Sequence, residues 1–273
     1  MVKPQGRRRL VSFFREAFGL SRRRACGLAQ ISRSTVEYRS RREDDAELRE
    51  RILAWAKDRP RYGSRRIHIL VLREGWKVNR KRVYRIYREE QLTVRRRRRK
   101  RVAAAPREAL PVPERPNEHW SMDFMADTLA DGRTFRTLNI VDDFSRECVA
   151  TEVGRSIPGA QVFRLLDRLA RTRGLPRTVV MDNGPEFTSR ALDQWAYRRG
   201  VELHFIQPGK PVQNALVESF NGKFHDECLN QSWFVSLVDA IRAIGIWRLD
   251  YNRHRPHSSL GDLTPEEYAR RAA

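Results

Sequence analysis

The stretch Thr178-Val179-Val180-Met181-Asp182-Asn183-Gly184 decides the fold. Four strand-forming residues bounded by turn chemistry have the length of a buried strand and are too few for a helix. The run ends on an acid followed by Asn-Gly. A carboxylate at the carboxyl edge of a strand, beside a glycine turn, is where open α/β sheets display ligands. Downstream, residues 189–199 carry a helical pattern, 201–206 a strand, 214–229 a helix and 237–251 another. Upstream, 158–172 is an amphipathic helix with Val162, Leu165, Leu166 and Leu169 on one face. Before it, 120–127, 134–142 and 147–153 read as strands joined by short turns, an antiparallel meander. Three adjacent strands followed by alternating helix and strand predict an α/β domain, a mixed five-stranded sheet flanked by helices.

Three acids stand out on this frame. Asp123 interrupts the apolar strand Trp-Ser-Met-Asp-Phe-Met, and an ionised carboxylate buried there requires a metal or a cation nearby. Asp182 ends its strand. Glu218 lies on the helix 214–229, where Val217, Phe220, Phe224 and Cys228 form the buried stripe and Asn214, Glu218, Asn221 and His225 a polar stripe beside it. Glu218 is therefore expected on the rim of the packing face, toward the sheet edge. Three hard oxygen ligands without a His or Cys set suit Mg²⁺ or Mn²⁺ and not zinc. Each acid alone is equally explained by a surface or capping role; the combination carries the signal, with 35 residues between Asp182 and Glu218. Around them, Asn183 and Glu186 are candidates to orient the site, with helix capping an equal alternative for Glu186. Asp142 and Asp143, beside Ser145 and Arg146, read as a turn with salt bridges. Trp195 and Trp247 read as core, and His225 as a DNA or structural contact.

The net charge of +21 is confined to one end. Residues 1–101 hold 33 Lys+Arg against 11 Asp+Glu, whereas residues 102–273 hold 22 against 23. A basic part attached to a neutral part suggests polyanion binding beside a separate task. Residues 1–42 read as a basic helical segment with helix-turn-helix grammar, Ser21 capping one helix and Ala25, Leu28, Ile31, Val36 and Tyr38 closing a small core. Residues 43–101 read as a helix-turn-helix DNA-binding module: helices over 46–57 and 64–72, then one capped by Asn79 that presents Arg80, Lys81, Arg82 and Arg85 to phosphates. It ends in an unbroken basic run, Arg95, Arg96, Arg97, Arg98, Arg99, Lys100 and Arg101, which is phosphate-seeking. Residues 102–117, with Pro106, Pro111, Pro113 and Pro116, read as a stiff linker. The catalytic domain then spans 118–235 and a C-terminal helical extension 236–273. Within it, Lys210 and Lys223 are candidate contacts to DNA phosphates, and the donor-rich tail 252–260 reads equally as a DNA contact or a brace. Thr264-Pro265-Glu266-Glu267 is a helix start.

No secretion signal is read at the N-terminus and no apolar run reaches the ~18 residues of a membrane span. Three scattered cysteines fit neither a disulfide framework nor a zinc knuckle, which points to a reduced cytoplasm.

Asp123, Asp182 and Glu218 reproduce the D, D, thirty-five, E pattern of DDE transposases and retroviral-type integrases. The surrounding text, His-Trp-Ser-Met-Asp-Phe (119–124), Asp-Asn-Gly-Pro-Glu-Phe (182–187), the segment 209–224 and Tyr-Asn-Arg-His-Arg-Pro-His-Ser-Ser-Leu-Gly (251–261), resembles the second reading-frame product of the insertion sequence three family. The resemblance covers about residues 43–269; no His-His-Cys-Cys zinc module precedes the core, which separates the chain from retroviral integrases proper. It implies a ribonuclease-H-like catalytic core preceded by small all-α helix-turn-helix modules. It also implies transposition: cleavage at element ends and joining of the freed 3′-OH to target DNA. Two divalent ions about 3.5–4 Å apart would act there, Asp123 touching both, Asp182 and Glu218 one each. Implied partners are DNA, further copies of the chain on that DNA and an upstream-frame fusion product; the implied location is the bacterial cytoplasm, at the nucleoid. Two rival readings are a nuclease of the same fold that never joins strands, and an inactive DNA-binding regulator.

Overall fold

The computed structural model describes residues 4–38, 45–94, 112–206 and 214–272. They form two compact units, Met1–Arg49 and Glu50–Ala273. The division falls inside a helix, where a boundary at 42/43 was expected, and the second unit holds helix-turn-helix and sheet together.

In the first unit α1 (Pro4–Phe18), α2 (Arg22–Leu28) and α3 (Arg33–Glu37) pack around Val11, Ala25, Cys26 and Ala29. Ser21 caps α2 and Ser32 caps α3, each accepting a backbone N–H three residues on. The core differs from the expected one: Leu28 and Tyr38 are exposed, and α1 supplies Val11 in their place. Next come α4 (Ala46–Asp58), α5 (Ser64–Arg73) and α6 (Arg80–Glu89). α5 and α6 pack through Ile67, Leu70, Val71, Val83, Ile86 and Tyr87, all buried, and Asn79 caps α6.

The sheet follows as β1 (His119–Thr128), β2 (Thr134–Asp142), β3 (Cys148–Gly154), then α7 (Gly159–Thr172), β4 (Thr178–Met181), α8 (Arg190–Arg199) and β5 (Glu202–Phe205). Strand order is β3-β2-β1-β4-β5. β1, β2 and β3 pair antiparallel, while β4 pairs parallel to both β1 and β5. This is the mixed five-stranded sheet that the pattern predicts. One face, with Trp120, Met122, Leu138, Ile140, Val179 and Met181, packs under α7 and α8. The other face packs under α9 (Ala215–Glu227) and α10 (Leu237–Arg253) through Phe135, Val141, Phe220, Phe224, Ile244 and Tyr251. α9 stops two residues short of the expected end and passes into a 3-10 turn at Leu229–Gln231. Trp195 is buried in the first layer and Trp247 lies partly buried in the second. α11 (Pro265–Ala272) opens with the expected reciprocal cap, Thr264 N–H to Glu267 at 2.7 Å and Glu267 N–H to Thr264 Oγ1 at 3.2 Å. Among the described residues no helix is long and apolar enough to cross a membrane.

Candidate active site

The alternation of β1 divides its side chains between the two faces. Trp120 and Met122 enter the layer under α7 and α8, so Ser121, Asp123 and Met125 face α9. Asp123 is directly opposite Asn139 of β2, on the same face. The Asn139 amide donates to Asn221 Oδ1 of α9 at 2.7 Å, and Asn221 Nδ2 donates to Asp123 Oδ2 at 2.7 Å. The other oxygen of Asp123 accepts the Phe124 N–H at 2.8 Å. α9 is pinned to β1 a second time by Asn214 Nδ2, 3.4 Å from the Met122 carbonyl.

Asp182 follows the last residue of β4. The parallel register pairs Trp120 with Val179 and Ser121 with Val180. Continued for two places, it sets Asp123 beside Asp182 at the strand spacing of about 4.8 Å. Asp182 Oδ1 accepts the Gly184 N–H at 3.0 Å. A Cβ on Gly184 would lie 3.0 Å from that oxygen, so any larger residue there presses on the Asp182 carboxylate. Asn183 donates to the Ile206 carbonyl at 2.8 Å, tying the ends of β4 and β5. Glu218 is one turn before Asn221 on α9 and so shares its face. It is exposed, on the rim where the polar stripe placed it.

Asp182 and Glu218 lie near enough for their charges to act on Asp123. Burial pushes the Asp123 carboxyl up to about 6, and the charges of Asp182 and Glu218 push the same way against the Phe124 and Asn221 hydrogen bonds. Among the described residues none of the three is ion-paired, and no three His, Cys, Asp or Glu side chains close on one ion. Uncompensated negative charge made of hard oxygens, at a half-buried sheet edge, fits a divalent cation shared between pairs of carboxylates.

The remaining candidates divide sharply. Glu186 is ion-paired with Arg136, which lowers its pKa, and Arg136 stacks 4.4 Å over the Phe124 ring. It braces the Asp182 loop. Asp142 is a turn residue, accepting from Asn117 N–H and from Ser145 N–H and Oγ, each at 2.8 Å. Asp143 accepts from Ser121 at 2.8 Å, and burial raises its carboxyl to about 7; no described cation pairs with either, against the expected salt bridges. His225 is exposed, and its Nδ1 accepts from Asn230 Nδ2 at 3.0 Å. In α6, Arg80 and Lys81 are exposed, Arg82 is half-buried, and Arg85 pairs with Glu89 at 2.9 Å, so Arg85 is less free than expected. Lys223 is half-buried rather than solvent-facing, and its ammonium is pushed down to about 8 by burial and by Arg255, Arg66 and Arg146. Arg95, Arg96, Arg97, Arg98, Arg99, Lys100 and Lys210 lie outside the described residues.

One feature escaped sequence reading. The Asn139–Asn221–Asp123 relay needed the β1–β2 register together with the i, i+3 offset from Glu218. In the tail 252–260, read equally as a DNA contact or a brace, two residues brace: Asn252 spans the Cys148 N–H and carbonyl at 2.9 Å each, and Arg255 is bonded twice to Glu227. Glu227 also meets Arg66 at 3.1 Å, while Arg59 pairs with Asp250, Arg61 with Asp226 and Arg73 with Glu267. Arg59, Arg61, Arg66 and Arg73 are thus neutralised by acids of the sheet domain, whereas Arg80 and Lys81 of α6 are exposed.

Sequence comparison places the chain among known proteins. Two families described as integrase core domain match residues 113–211 and 199–265, and an HTH-like domain matches 42–100. The chain is 52% identical to the insertion element IS407 uncharacterized 31.7 kDa protein of Burkholderia multivorans, over 95% of this chain and 94% of that one. It is 46% identical to the insertion element IS476 uncharacterized 39.2 kDa protein of Xanthomonas euvesicatoria, over 98% and 78%. The putative transposase InsK of insertion sequence element IS150 from Escherichia coli is 27% identical, over 88% and 90%. In fold, the chain matches one from a simian T-cell lymphotropic virus intasome solved with PP2A regulatory subunit B56 gamma. That match has TM-score 0.51 and 15% identity, over 80% of this chain and 73% of that one.

Proposed function

Because the chain belongs to the insertion sequence three family of DDE transposases, we propose that Asp123, Asp182 and Glu218 are its catalytic acids and hold its divalent metal. The protein is a polynucleotidyl transferase of DNA transposition, with an integrase core and a helix-turn-helix module. Three acids without ion pairs among the described residues, two of them near enough for their charges to add to the burial that raises the pKa of the third, support the assignment.

Asp123 is the shared ligand, its two oxygens oriented by the Phe124 N–H and Asn221. Asp182, held by the Gly184 N–H, and the exposed Glu218 would complete the set of carboxylates that holds Mg²⁺ or Mn²⁺. Ions bound there supply activation of the attacking oxygen and neutralisation of charge on the phosphate. Arg80, Lys81 and Arg82 of α6, together with the basic segment Arg95 to Lys100 and Lys210, bind the backbone of the element ends. Further copies of the chain assemble on that DNA at the bacterial nucleoid, and an upstream-frame fusion product supplies an additional partner.

The test is strand cleavage and strand joining on duplexes carrying the element ends, with Mg²⁺ or Mn²⁺. Asp123→Asn, Asp182→Asn and Glu218→Gln should each abolish both steps while binding the same duplex in EDTA as the wild type does. Wild-type joining by Glu218→Gln would overturn the assignment. Cleavage without joining by the wild type would favour a nuclease.

A further inference from the structure

A second polar site lies away from the three acids, where the helix-turn-helix meets the sheet domain within one compact unit. It is a cavity of about 550 Å³, lined by the start of α5, by Arg80 and Tyr84 of α6, by Lys223 of α9 and by the segment 255–259. Its charge is one-sided. Asp262 is the one carboxylate among its lining residues, and it lies 3.5 Å from Arg65. Beneath the lining, Glu227 alone serves two guanidiniums, Arg66 and Arg255. Lys223 makes no hydrogen bond or ion pair among the described residues, although it is half-buried. Arg80 has no ion pair either among the described residues. His257 is buried, and desolvation with the nearby Arg255 and Lys223 charges drives its pKa down to about 2, so it lines the cavity as a neutral ring.

Neutral donors add to the cations. Gly63 provides no side-chain cap for α5, which leaves the Ser64 and Arg65 N–H groups at the cavity free of a capping acceptor. The Ser258 and Ser259 hydroxyls line the opposite side and are exposed. A half-buried ammonium without an acceptor, crowded by guanidiniums, is costly until an anion arrives. Free helix N–H groups and hydroxyls are the donors that a phosphate accepts.

Building on the transposase reading above, we propose that this cavity binds a backbone phosphate of the element-end DNA strand, gripped jointly by α5, by Lys223 and by the 255–259 segment. The site links the two tasks of the chain. α6, whose Arg80 lines the cavity and whose Lys81 is exposed, borders it on one side; α9, which carries Glu218, forms its other wall. Lys223 lies five residues beyond Glu218, about 7.5 Å along the helix axis and about 140° around it. A strand held here is therefore fixed with respect to both α6 and the reacting edge.

The test uses the full chain and a terminal-repeat duplex in EDTA, so that binding is read apart from chemistry. Lys223→Gln should bind about tenfold more weakly at low salt, and the slope of log K against log salt should fall by about one. Ser259→Asp should weaken binding likewise and Ser259→Ala should not. A scan of single neutral methylphosphonate linkages should find one position that costs the wild type about tenfold and costs Lys223→Gln nothing more. Lys223→Gln should melt no lower than the wild type, because it removes a strained charge. Unchanged slopes for both Lys223→Gln and Ser259→Asp, or methylphosphonate costs equal in the wild type and Lys223→Gln at every position, would overturn the cavity proposal. Those outcomes would leave the assignment of the acids intact, since that is judged by cleavage with Glu218→Gln.

Discussion

Removing Glu227 isolates the joint between the helix carrying Glu218 and the rest of the molecule. Glu227 ends α9 and receives Arg255 at 2.7 and 2.6 Å and Arg66 at 3.1 Å. Arg255 is 2% exposed. Burial works against its charge, yet the bonds to Glu227 outweigh that and raise its pKa. Glu227→Ala strands this guanidinium beside Arg66 and Lys223, at a cost of about 3–5 kcal/mol for an uncompensated buried charge. Arg66 is partly exposed, so losing its pair adds under about 1 kcal/mol. A loss on the order of 4 kcal/mol is a large share of a typical folding stability of about 5–15 kcal/mol. It lowers the melting temperature by on the order of 10 °C. Arg255→Met should cost less, about 1–3 kcal/mol, because Glu227 keeps Arg66. Glu227→Met with Arg255→Met, two apolar groups facing each other, should recover to within about 1–2 kcal/mol of the wild type. Urea unfolding of the four proteins closes the double-mutant cycle. A single Glu227→Ala loss below about 1 kcal/mol, or strictly additive effects, would refute the view that this pair anchors α9.

Asn221→Ala removes the centre of the Asn139–Asn221–Asp123 relay; it should destabilise by about 1–3 kcal/mol and raise the Mg²⁺ concentration for half-maximal cleavage, whereas an unmoved Mg²⁺ midpoint would mean that the relay does not orient Asp123. Gly184→Ala sets a methyl 3.0 Å from Asp182 Oδ1; cleavage should drop at least about tenfold with a melting temperature near that of the wild type, and full activity would show that the turn yields freely. Asp143 has a folded pKa raised from 3.8 to about 7 by burial, so its stabilising contribution is present below pH 3.8 and is lost as pH rises through 7. The urea midpoint of the metal-free protein should therefore fall across that window and fall less in Asp143→Asn; equal slopes in the two proteins would exclude Asp143 as the source.

The elements that carry the three acids, the strand order in time and the sign of the charge were legible because each is a local property. Period-two and period-3.6 patterning placed Asp123, Asp182 and Glu218 on a strand, a strand end and a helix rim, and the caps at Ser21, Asn79 and Thr264 followed from side-chain chemistry within three residues. Pairings across long sequence separations were not legible. The bond from Asn139 to Asn221 spans 82 residues, and Arg59 reaches Asp250 across 191. Nothing in the run of arginines distinguishes those that the sheet domain neutralises from those that α6 turns outward; each is a solvated cation until an acid from a distant element is brought beside it. Leu28 and Tyr38 fit a helical stripe equally well, and only the seating of α1 left them exposed. The chain alone therefore determined which residues could do chemistry. The tertiary packing decided which of them are free to do it, because burial and charge compensation depend on neighbours that periodicity does not record.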